Sequence, residues 1–568
     1  MSLSYDYIIA GGGSAGCTLA SNLAVKSDAK ILLIEGGGNG KSLFTEMPAG
    51  NGFIFGNPTY DWMFESIPQK GLNGNKIYYP RGKGLGGSSL LNGMIYIRGN
   101  PIDFDRWRQK GLEGWSYADV LPYFKQSGNA HHRKGSPFHS NTGPLKISPA
   151  GNDDLINKAF IDACIQAGAT YNKDFNGLKQ NGVGRYDSTI FKGIRSSSRK
   201  SYLDKKFKNL TILKNEKVFK VIIEKERAKG IQLKDKIIYA EKEIVLCLGA
   251  FGSPQCLMLS GVGPEDHIKY HGIDLKLDLP GVGLSLYDHP NFPVHFSLKD
   301  ENLSMSRYQR LDRAIAMGLE YIFFKSGAAA SSFWSTSLFH SLNDEELPEI
   351  QINFTPMVVK EEAASTNFSI QNFLNFGKAI IARGKTAIPG IQLDINLLQP
   401  KSVGSVKLSS SNPYEKPLID PGYLSDQRDI EDLCKAFKHL RHICNQDALK
   451  TIIGGELSPG KNIKTEDEIH TAIRNLTTTG HHPVSTCRMG NENDKEAVLD
   501  KNLKVRGINS LRVVDASAFP DQINGNTNAA VIMMAEKAAD IILKISPLKR
   551  EDPRENSFLL EKEENENL

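Results

Sequence analysis

No two cysteines in this chain stand at CxxC spacing, and only seven occur in 568 residues: Cys17, Cys164, Cys247, Cys256, Cys434, Cys444 and Cys487. An odd number at irregular spacing supplies neither a zinc site nor a disulfide framework, and it fits a reducing compartment. No run of 18 apolar residues exists, so no membrane-spanning helix is expected. No charged segment precedes a long apolar one at the N-terminus. Tyr5–Ala10 breaks at once into glycines and reads as a strand rather than a signal peptide. A cytoplasmic location follows, with peripheral attachment to the inner membrane left open. Lys and Arg are scattered among acids, and the net charge of +5 is small for this length, so no nucleic-acid surface is expected. HExxH, P-loop and GxSxG patterns are absent, and His131-His132 lacks ligand companions, so no metal site is expected and that pair reads as surface loop.

What remains is a chain with 40% hydrophobic and 23% charged residues, enough for a large core and more than one domain. Residues 5–35 read as strand, glycine turn, helix and strand, a βαβ unit. Helical text follows near Tyr117–Gln126 and Asp154–Ala167. Strand text covers Leu210–Leu213, Phe219–Glu224 and Ile244–Leu248. The stretch 293–455 alternates strand-like runs (Ile350–Phe354, Gly390–Leu398, Gly404–Leu408) with helices (Tyr308–Phe324, Asp429–Cys444) and carries no nucleotide signal. Strand Leu511–Val514 and a helix from Thr527 to Leu543 return to βα text. The division expected is a nucleotide-binding domain over 1–292, a substrate domain over 293–455, a returning segment over 456–548 and a charged, unstructured tail over 549–568.

The turn Gly11-Gly12-Gly13-Ser14-Ala15-Gly16 has the GxGxxG spacing after a strand and before a helix. Gly11 permits the tight turn, Gly13 lets backbone approach a pyrophosphate, and Gly16 lets the helix pack on the sheet. The helix start, with Ser14 and Ala15, offers N–H groups and positive dipole to phosphate. Glu35 ends the next strand and can accept hydrogen bonds from an adenosine ribose. Its charge disfavours a 2′-phosphate. On this motif alone FAD and NAD both remain open.

Four further segments are more specific. They are Pro80-Arg81-Gly82-Lys83-Gly84-Leu85-Gly86-Gly87-Ser88-Ser89-Leu90-Leu91-Asn92-Gly93-Met94-Ile95, Gly252–Pro264, His482–Gly490, and the pair Val514-Asp515-Ala516-Ser517 and Asn526-Thr527-Asn528-Ala529. In this order they resemble the glucose–methanol–choline (GMC) oxidoreductase family, over about residues 5 to 544. Pro400, Ser402, Gly404, Asp420-Pro421 and Tyr423-Leu424 are similar to its bacterial choline dehydrogenase and alcohol dehydrogenase members. The resemblance implies an α/β fold with a Rossmann-like FAD-binding domain and a discontinuous α+β substrate-binding domain, and FAD rather than NAD.

It also implies the site. Arg81, Gly86, Gly87, Ser88, Asn92, Gly93, Met94 and Ile95 would lie along the flavin, Val218 at the adenine, and Asp515, Ala516, Asn526 and Thr527 at the cofactor's other side. Some members attach the flavin through a His just before the Asn. Leu91 stands there, so FAD is expected to be non-covalent. His482 is the expected general base, since a neutral imidazole has the basicity to take a hydroxyl proton near pH 7. Its rival His481 should turn away, because neighbours in an extended segment point to opposite faces. Asn526 would orient the alcohol and stabilise developing alkoxide. Thr527 or Asn528 would cap the following helix, whose dipole would favour anionic reduced flavin. The activity expected is oxidation of a primary alcohol, choline-like or aliphatic, by a dehydrogenase in preference to an oxidase. Quinone, dye or oxygen would take the electrons. The alternatives are a lyase or light-driven decarboxylase on the same scaffold, or a flavin-binding protein without catalysis.

Overall fold

The computed structural model describes residues 4–151, 154–343, 346–358 and 389–555. The strand Ser4–Ala10 pairs in parallel with Ile31–Glu35 on one side and Ile237–Leu246 on the other. Leu210–Lys214 extends the parallel run beyond Ile31–Glu35, and Leu511–Val513 adds to Ile237–Leu246. Arg227–Gln232 and Lys220–Glu224 complete a seven-stranded sheet in antiparallel fashion. Ile31–Glu35 is buried throughout, as a strand covered on both faces must be. The helix Ser14–Lys26 packs on Ser4–Ala10 and Ile31–Glu35, and the helix Asn528–Leu543 packs on that helix.

A second seven-stranded sheet runs Ile453–Ser458, Pro290–Leu298, Gly390–Leu397, Ile350–Thr355, Thr336–His340 and Gly182–Arg185, with Thr478–Thr479 added beside Pro290. Its strands alternate. Phe292, Val294, Ile352, Phe354, Leu393 and Ile395 face a core under the helices Gln427–Cys444 and Leu155–Gln166. The alternate positions carry Asn291, His295, Gln351, Asn353, Asp394 and Asn396, and this polar face looks toward the first domain.

Two boundaries differ from the sequence reading. The second sheet takes strands from 182–185 and 478–479, outside 293–455, and its strand 290–298 begins three residues before 293, because segments distant in sequence pair with its outer strands. The tail is not wholly unstructured. Arg550 pairs with Asp119 at 3.0 Å, Arg554 with Asp105 at 2.9 Å, and the Glu551 N–H donates to the Ala118 carbonyl at 3.0 Å. Those charges meet acids already present on the surface. Residues 556–568 lie outside the described residues. Among the described residues, no helix is long and apolar enough to cross a membrane.

Candidate active site

A cavity of about 2320 Å³ lies between the two sheets. Its dinucleotide end is made by glycines that nothing larger could replace. A Cβ on Gly11, whose φ is +104°, would sit 2.4 Å from the Cys247 carbonyl oxygen. On Gly16 it would sit 1.8 Å from the Gly11 oxygen. Gly13 is different: a Cβ there would meet only Gly87 Cα, at 3.9 Å, and the residue faces the cavity. Gly13 is also the residue before the helix Ser14–Lys26, so no side chain caps that helix, and its first N–H groups stand at the cavity wall with Ser14 and Ala15. This open, positively polarised turn fits a pyrophosphate. Glu35 lines the same end and is buried. Its carboxylate accepts from the N–H groups of Gly12 at 2.8 Å, Gly37 at 2.7 Å and Gly84 at 3.0 Å. It therefore orders the loops at this end of the cavity as well as facing it. Burial raises its pKa, and the three N–H groups oppose the rise. Val218 lines this end beside Trp62, which carries Lys83 and Lys217 over its ring at 5.2 and 5.8 Å. Trp62 thus lies at the Glu35 end of the cavity.

The segment 80–95 lines the cavity further along. Gly86 and Gly87 take φ values of +105° and +50°, and a Cβ on Gly87 would come within 2.6 Å of Gly13 Cα. Ser88 Oγ accepts from the Gly82 N–H at 3.2 Å, and Leu91, Gly93, Met94 and Ile95 face the cavity. Trp334 packs on Gly93, where a Cβ would lie 2.9 Å from its ring. Asn92 accepts through Oδ1 from Arg195 at 2.8 Å and from the Met94 N–H at 3.3 Å. Sequence reading missed Arg195. It is 1% exposed and donates to neutral oxygens only: Asn92 O and Oδ1, Asn51 Oδ1, and at long range Ser89 O and Pro48 O. Burial lowers its pKa to about 9. It places a cation beneath the Gly87–Asn92 turn. Arg81 donates to the His481 carbonyl at 3.0 Å.

Asp515 and Ala516 also line the cavity, but both Asp515 oxygens are engaged by protein. One accepts from the Gly249 N–H at 2.8 Å and Ser253 Oγ at 2.6 Å, the other from Ser517 N and Oγ at 2.8 and 2.5 Å. Any contact of this turn with the cofactor falls to its backbone. The cap expected from Thr527 or Asn528 is absent. Thr527 makes no side-chain cap, and Asn528 Oδ1 instead accepts from Ser14 Oγ at 2.8 Å, tying the two helix N-termini together. The start of Asn528–Leu543 therefore remains open to the cavity.

The histidines form a directed chain. His289 Nε2 lies 3.1 Å from the Ile523 carbonyl, which can only accept, so Nε2 carries the hydrogen. Burial lowers the His289 pKa to about 3, so the ring is neutral and its Nδ1 is a lone pair. That lone pair faces His482 Nδ1 at 2.9 Å, which places a hydrogen on His482 Nδ1. His482 is buried, and burial first, then His289, His481 and Arg81, hold its pKa well below the ordinary value. It too is neutral, and its Nε2 is the lone-pair nitrogen, which accepts from Asn526 Nδ2 at 2.9 Å. Asn526 Oδ1 in turn accepts from Gln351 Nε2 at 3.4 Å. Asp288 holds the frame. Its carboxylate accepts from the backbone of His482 at 2.7 Å and His289 at 2.9 Å, from Thr479 Oγ1 at 2.6 Å and from Tyr423 OH at 2.5 Å.

His481 departs from the reasoning that set it aside. Its φ is +67°, so it is not part of an extended pair, and its ring also opens onto the cavity. No side-chain hydrogen bond joins it to Asn526; its backbone N–H donates to Thr479 Oγ1 at 2.7 Å. Sequence reading also missed Asp288, His289 and Gln351. His289-Pro290 repeats the His-Pro signal of His482-Pro483, but its role depends on a contact 193 residues away.

Away from the cavity, His139, Asp174 and Asp187 bring ligand atoms within 4.8 Å of one another. Arg133 already stands there, 2.7 Å from Asp187 and 3.6 Å from Asp174, with His132 on Asp187 at 2.8 Å. The cluster is a charge network built around an arginine, and the expected surface loop at 131–132 is anchored to it.

Family models described as GMC oxidoreductase match residues 5–291 and 400–535. An oxygen-dependent choline dehydrogenase of Photobacterium profundum is 37% identical over 560 residues, covering 96% of this chain and 94% of that protein. One from Staphylococcus xylosus is 36% identical and covers 98% of each chain. Among solved structures, pyridoxine 4-oxidase from Mesorbium loti superposes with a TM-score of 0.81 at 29% identity, over 94% of this chain and 98% of that one. An FAD-dependent oxidoreductase from Chaetomium thermophilum gives 0.81 at 26% identity, over 95% and 99%.

Proposed function

We propose that this chain, which belongs to the GMC oxidoreductase family and acts with FAD on CH–OH groups, oxidises a primary alcohol to its aldehyde with His482 as the general base. The observation that carries the reading is the fixed tautomer of His482, which leaves Nε2 basic beside Asn526. FAD, when bound, supplies the hydride acceptor. Gly13 and the start of Ser14–Lys26 would hold its pyrophosphate, and the Gly86–Ile95 turn would hold the ring. Leu91 offers no nucleophilic nitrogen at the wall, so FAD is held without a covalent bond.

The alcohol hydroxyl would replace the direct Asn526–His482 hydrogen bond, donating to His482 Nε2 and accepting from Asn526 Nδ2. Nε2 takes the hydroxyl proton as hydride leaves the carbon, and the Asn526 N–H stabilises the oxygen as its charge grows. His482 becomes cationic only in that step, because the buried ring starts neutral. Gln351 keeps the Asn526 amide turned with its nitrogen toward the base.

The relatives' names make choline the first alcohol to test, with aliphatic primary alcohols second. A photodecarboxylase or an idle flavoprotein would leave the histidine chain without a proton to handle, and a lyase, which also needs a base, would leave the flavin unreduced. The test begins with holoenzyme mixed anaerobically with choline and with a series of primary alcohols. Bleaching of the flavin by at least one of them is expected, and reoxidation by oxygen, dye or quinone then separates oxidase from dehydrogenase. No bleaching by any alcohol refutes the reading. Acid or heat should release FAD into the supernatant, and flavin retained on the precipitated chain refutes non-covalent binding.

A further inference from the structure

Beyond the catalytic pair, the polar face of the second sheet forms a grid. On three adjacent strands, Pro290–Leu298, Gly390–Leu397 and Ile350–Thr355, the residues of this face pair in rows. The first row is Gln351, Asn396 and Asn291, the second Asn353, Asp394 and Pro293, the third Thr355, Gln392 and His295. Successive rows lie about 7 Å apart along the strands. The first row stands at the reacting end, because Gln351 Nε2 donates to Asn526 Oδ1 at 3.4 Å. Only Pro293 lacks a hydrogen-bonding side chain. A substrate that runs along the strands from His482 therefore meets polar groups, not an alkyl-lined sleeve.

Several of these groups are unspent. Gln351 Nε2 also donates to Tyr186 OH at 2.6 Å, and Tyr186 OH donates to Asn353 Oδ1 at 2.5 Å. That sequence fixes the Asn353 amide and leaves its Nδ2 without a partner among the described residues. Asn353 is only 8% exposed and lines the cavity. Asn291 donates through Nδ2 to Asn396 Oδ1 at 3.0 Å, which leaves Asn291 Oδ1 as an acceptor. Thr477 Oγ1 and His295 Nε2 belong to residues that line the same cavity, and neither atom has a hydrogen-bond partner. Thr477 is 4% exposed. Asp394, at the centre of the grid, accepts from Gln392 Nε2 at 2.8 Å. Buried polar atoms left unpaired are costly, so this wall fits a ligand that supplies both donors and acceptors.

We propose that the alcohol oxidised here is a short linear polyol, with its terminal CH–OH at His482 and Asn526 and its further hydroxyls on Asn353, Asn291 and Thr477. This deepens the alcohol-oxidation reading and rests on it. The chemistry is unchanged: the terminal carbon gives up hydride, His482 Nε2 takes the hydroxyl proton, and an aldehyde forms. Hydrogen bonding selects the class. A hydroxyl both donates and accepts, so it satisfies the Asn353 amide nitrogen and the Asn291 amide oxygen alike. An alkyl chain does neither and would take water from this wall without replacing it. A trimethylammonium group has no N–H to donate and no lone pair to offer. Trp334 and Phe333 also line the cavity and give the C–H faces of a polyol an apolar surface.

The test compares xylitol, pentan-1-ol and choline on the FAD-loaded protein. Anaerobic stopped-flow reduction gives a second-order rate constant for each, expected to be at least about tenfold higher for xylitol. Binding is read separately in His482→Ala, from the perturbation of oxidised flavin absorbance by the same three compounds, and xylitol should bind most tightly. Asn353→Leu removes the amide at similar volume and should cut the advantage of xylitol over pentan-1-ol about tenfold in both measurements. Thr477→Val, which keeps the shape and loses the hydroxyl, should shift that ratio in the same direction. The proposal is overturned if pentan-1-ol or choline binds as tightly as xylitol. It is also overturned if both substitutions weaken xylitol and pentan-1-ol alike, which is the mark of a structural role. If xylitol binds best but no alcohol reduces the flavin, the oxidation reading fails and the polyol site stands. If pentan-1-ol or choline reduces the flavin and xylitol does not bind, the oxidation reading stands and the polyol site fails.

Discussion

Replacing His289 by leucine removes the acceptor that fixes the His482 tautomer without touching the base itself. In the parent, the Ile523 carbonyl sets His289, and His289 Nδ1 sets His482 across 2.9 Å. With leucine present, a buried N–H at His482 Nδ1 has no partner, which costs about 1–3 kcal/mol. Moving the hydrogen to Nε2, where Asn526 can accept it after an amide turn, avoids that cost but leaves no base toward the alcohol. The same 1–3 kcal/mol, at about 1.4 kcal/mol per decade, predicts flavin reduction slowed about 5- to 150-fold. His289→Gln restores an acceptor through its amide oxygen and should recover most of the rate. The assay is anaerobic stopped-flow reduction at saturating alcohol, with FAD content measured in parallel. A leucine variant that keeps FAD and reduces at the parent rate refutes the tautomer argument. If glutamine and leucine are equally slow, packing rather than the hydrogen bond is at work.

Gly13→Asp should fold but lose FAD, since the new carboxylate would point into the cavity at the pyrophosphate position; full retention of FAD, measured by absorbance after desalting, contradicts the fingerprint assignment. Because His482 is held neutral well below its ordinary pKa, the reduction rate should not fall between pH 8 and 6.5, and an inflection there that disappears in His482→Ala contradicts the burial argument. Stability should report His289 as well. Its folded pKa of about 3 lies below the unfolded value. From about pH 6.5 downward the unfolded chain therefore binds a proton that the folded chain does not, and stability falls with acid by up to about 1.4 kcal/mol per pH unit. The difference in unfolding free energy between parent and His289→Leu should change with this slope between pH 6 and 4, and a pH-independent difference refutes it.

The βαβ unit was legible because each local signal agreed: apolar strand, glycines at fixed spacing, helix, and an acid at the next strand's end. His482, Asn526, Val218, Gly87, Ser88 and Leu91 to Ile95 line one cavity, although they come from segments far apart in sequence, while Gly86 lies behind its wall. What could not be read depends on tertiary placement. Arg195 lies under the Gly87–Asn92 turn only because its hairpin folds back on Asn92. Asp288 matters through four hydrogen bonds to segments at 289, 423, 479 and 482. Gly182–Arg185 joined the second sheet through Thr336–His340, a pairing no local pattern announces. The argument against His481 assumed extended backbone, and a left-handed residue broke the alternation on which it rested.

The most direct test of the account compares anaerobic flavin reduction in His482→Ala, His481→Ala and Asn526→Ala with an alcohol that reduces the parent. All three should retain FAD. Loss of the base should slow His482→Ala by about 10²–10⁴-fold, partly recovered at high pH where solvent can take the proton. Asn526→Ala should fall between that and the parent, and His481→Ala should lie close to the parent. A crippled His481 variant beside a normal His482 variant, or all three reducing at the parent rate, would contradict His482 as the base.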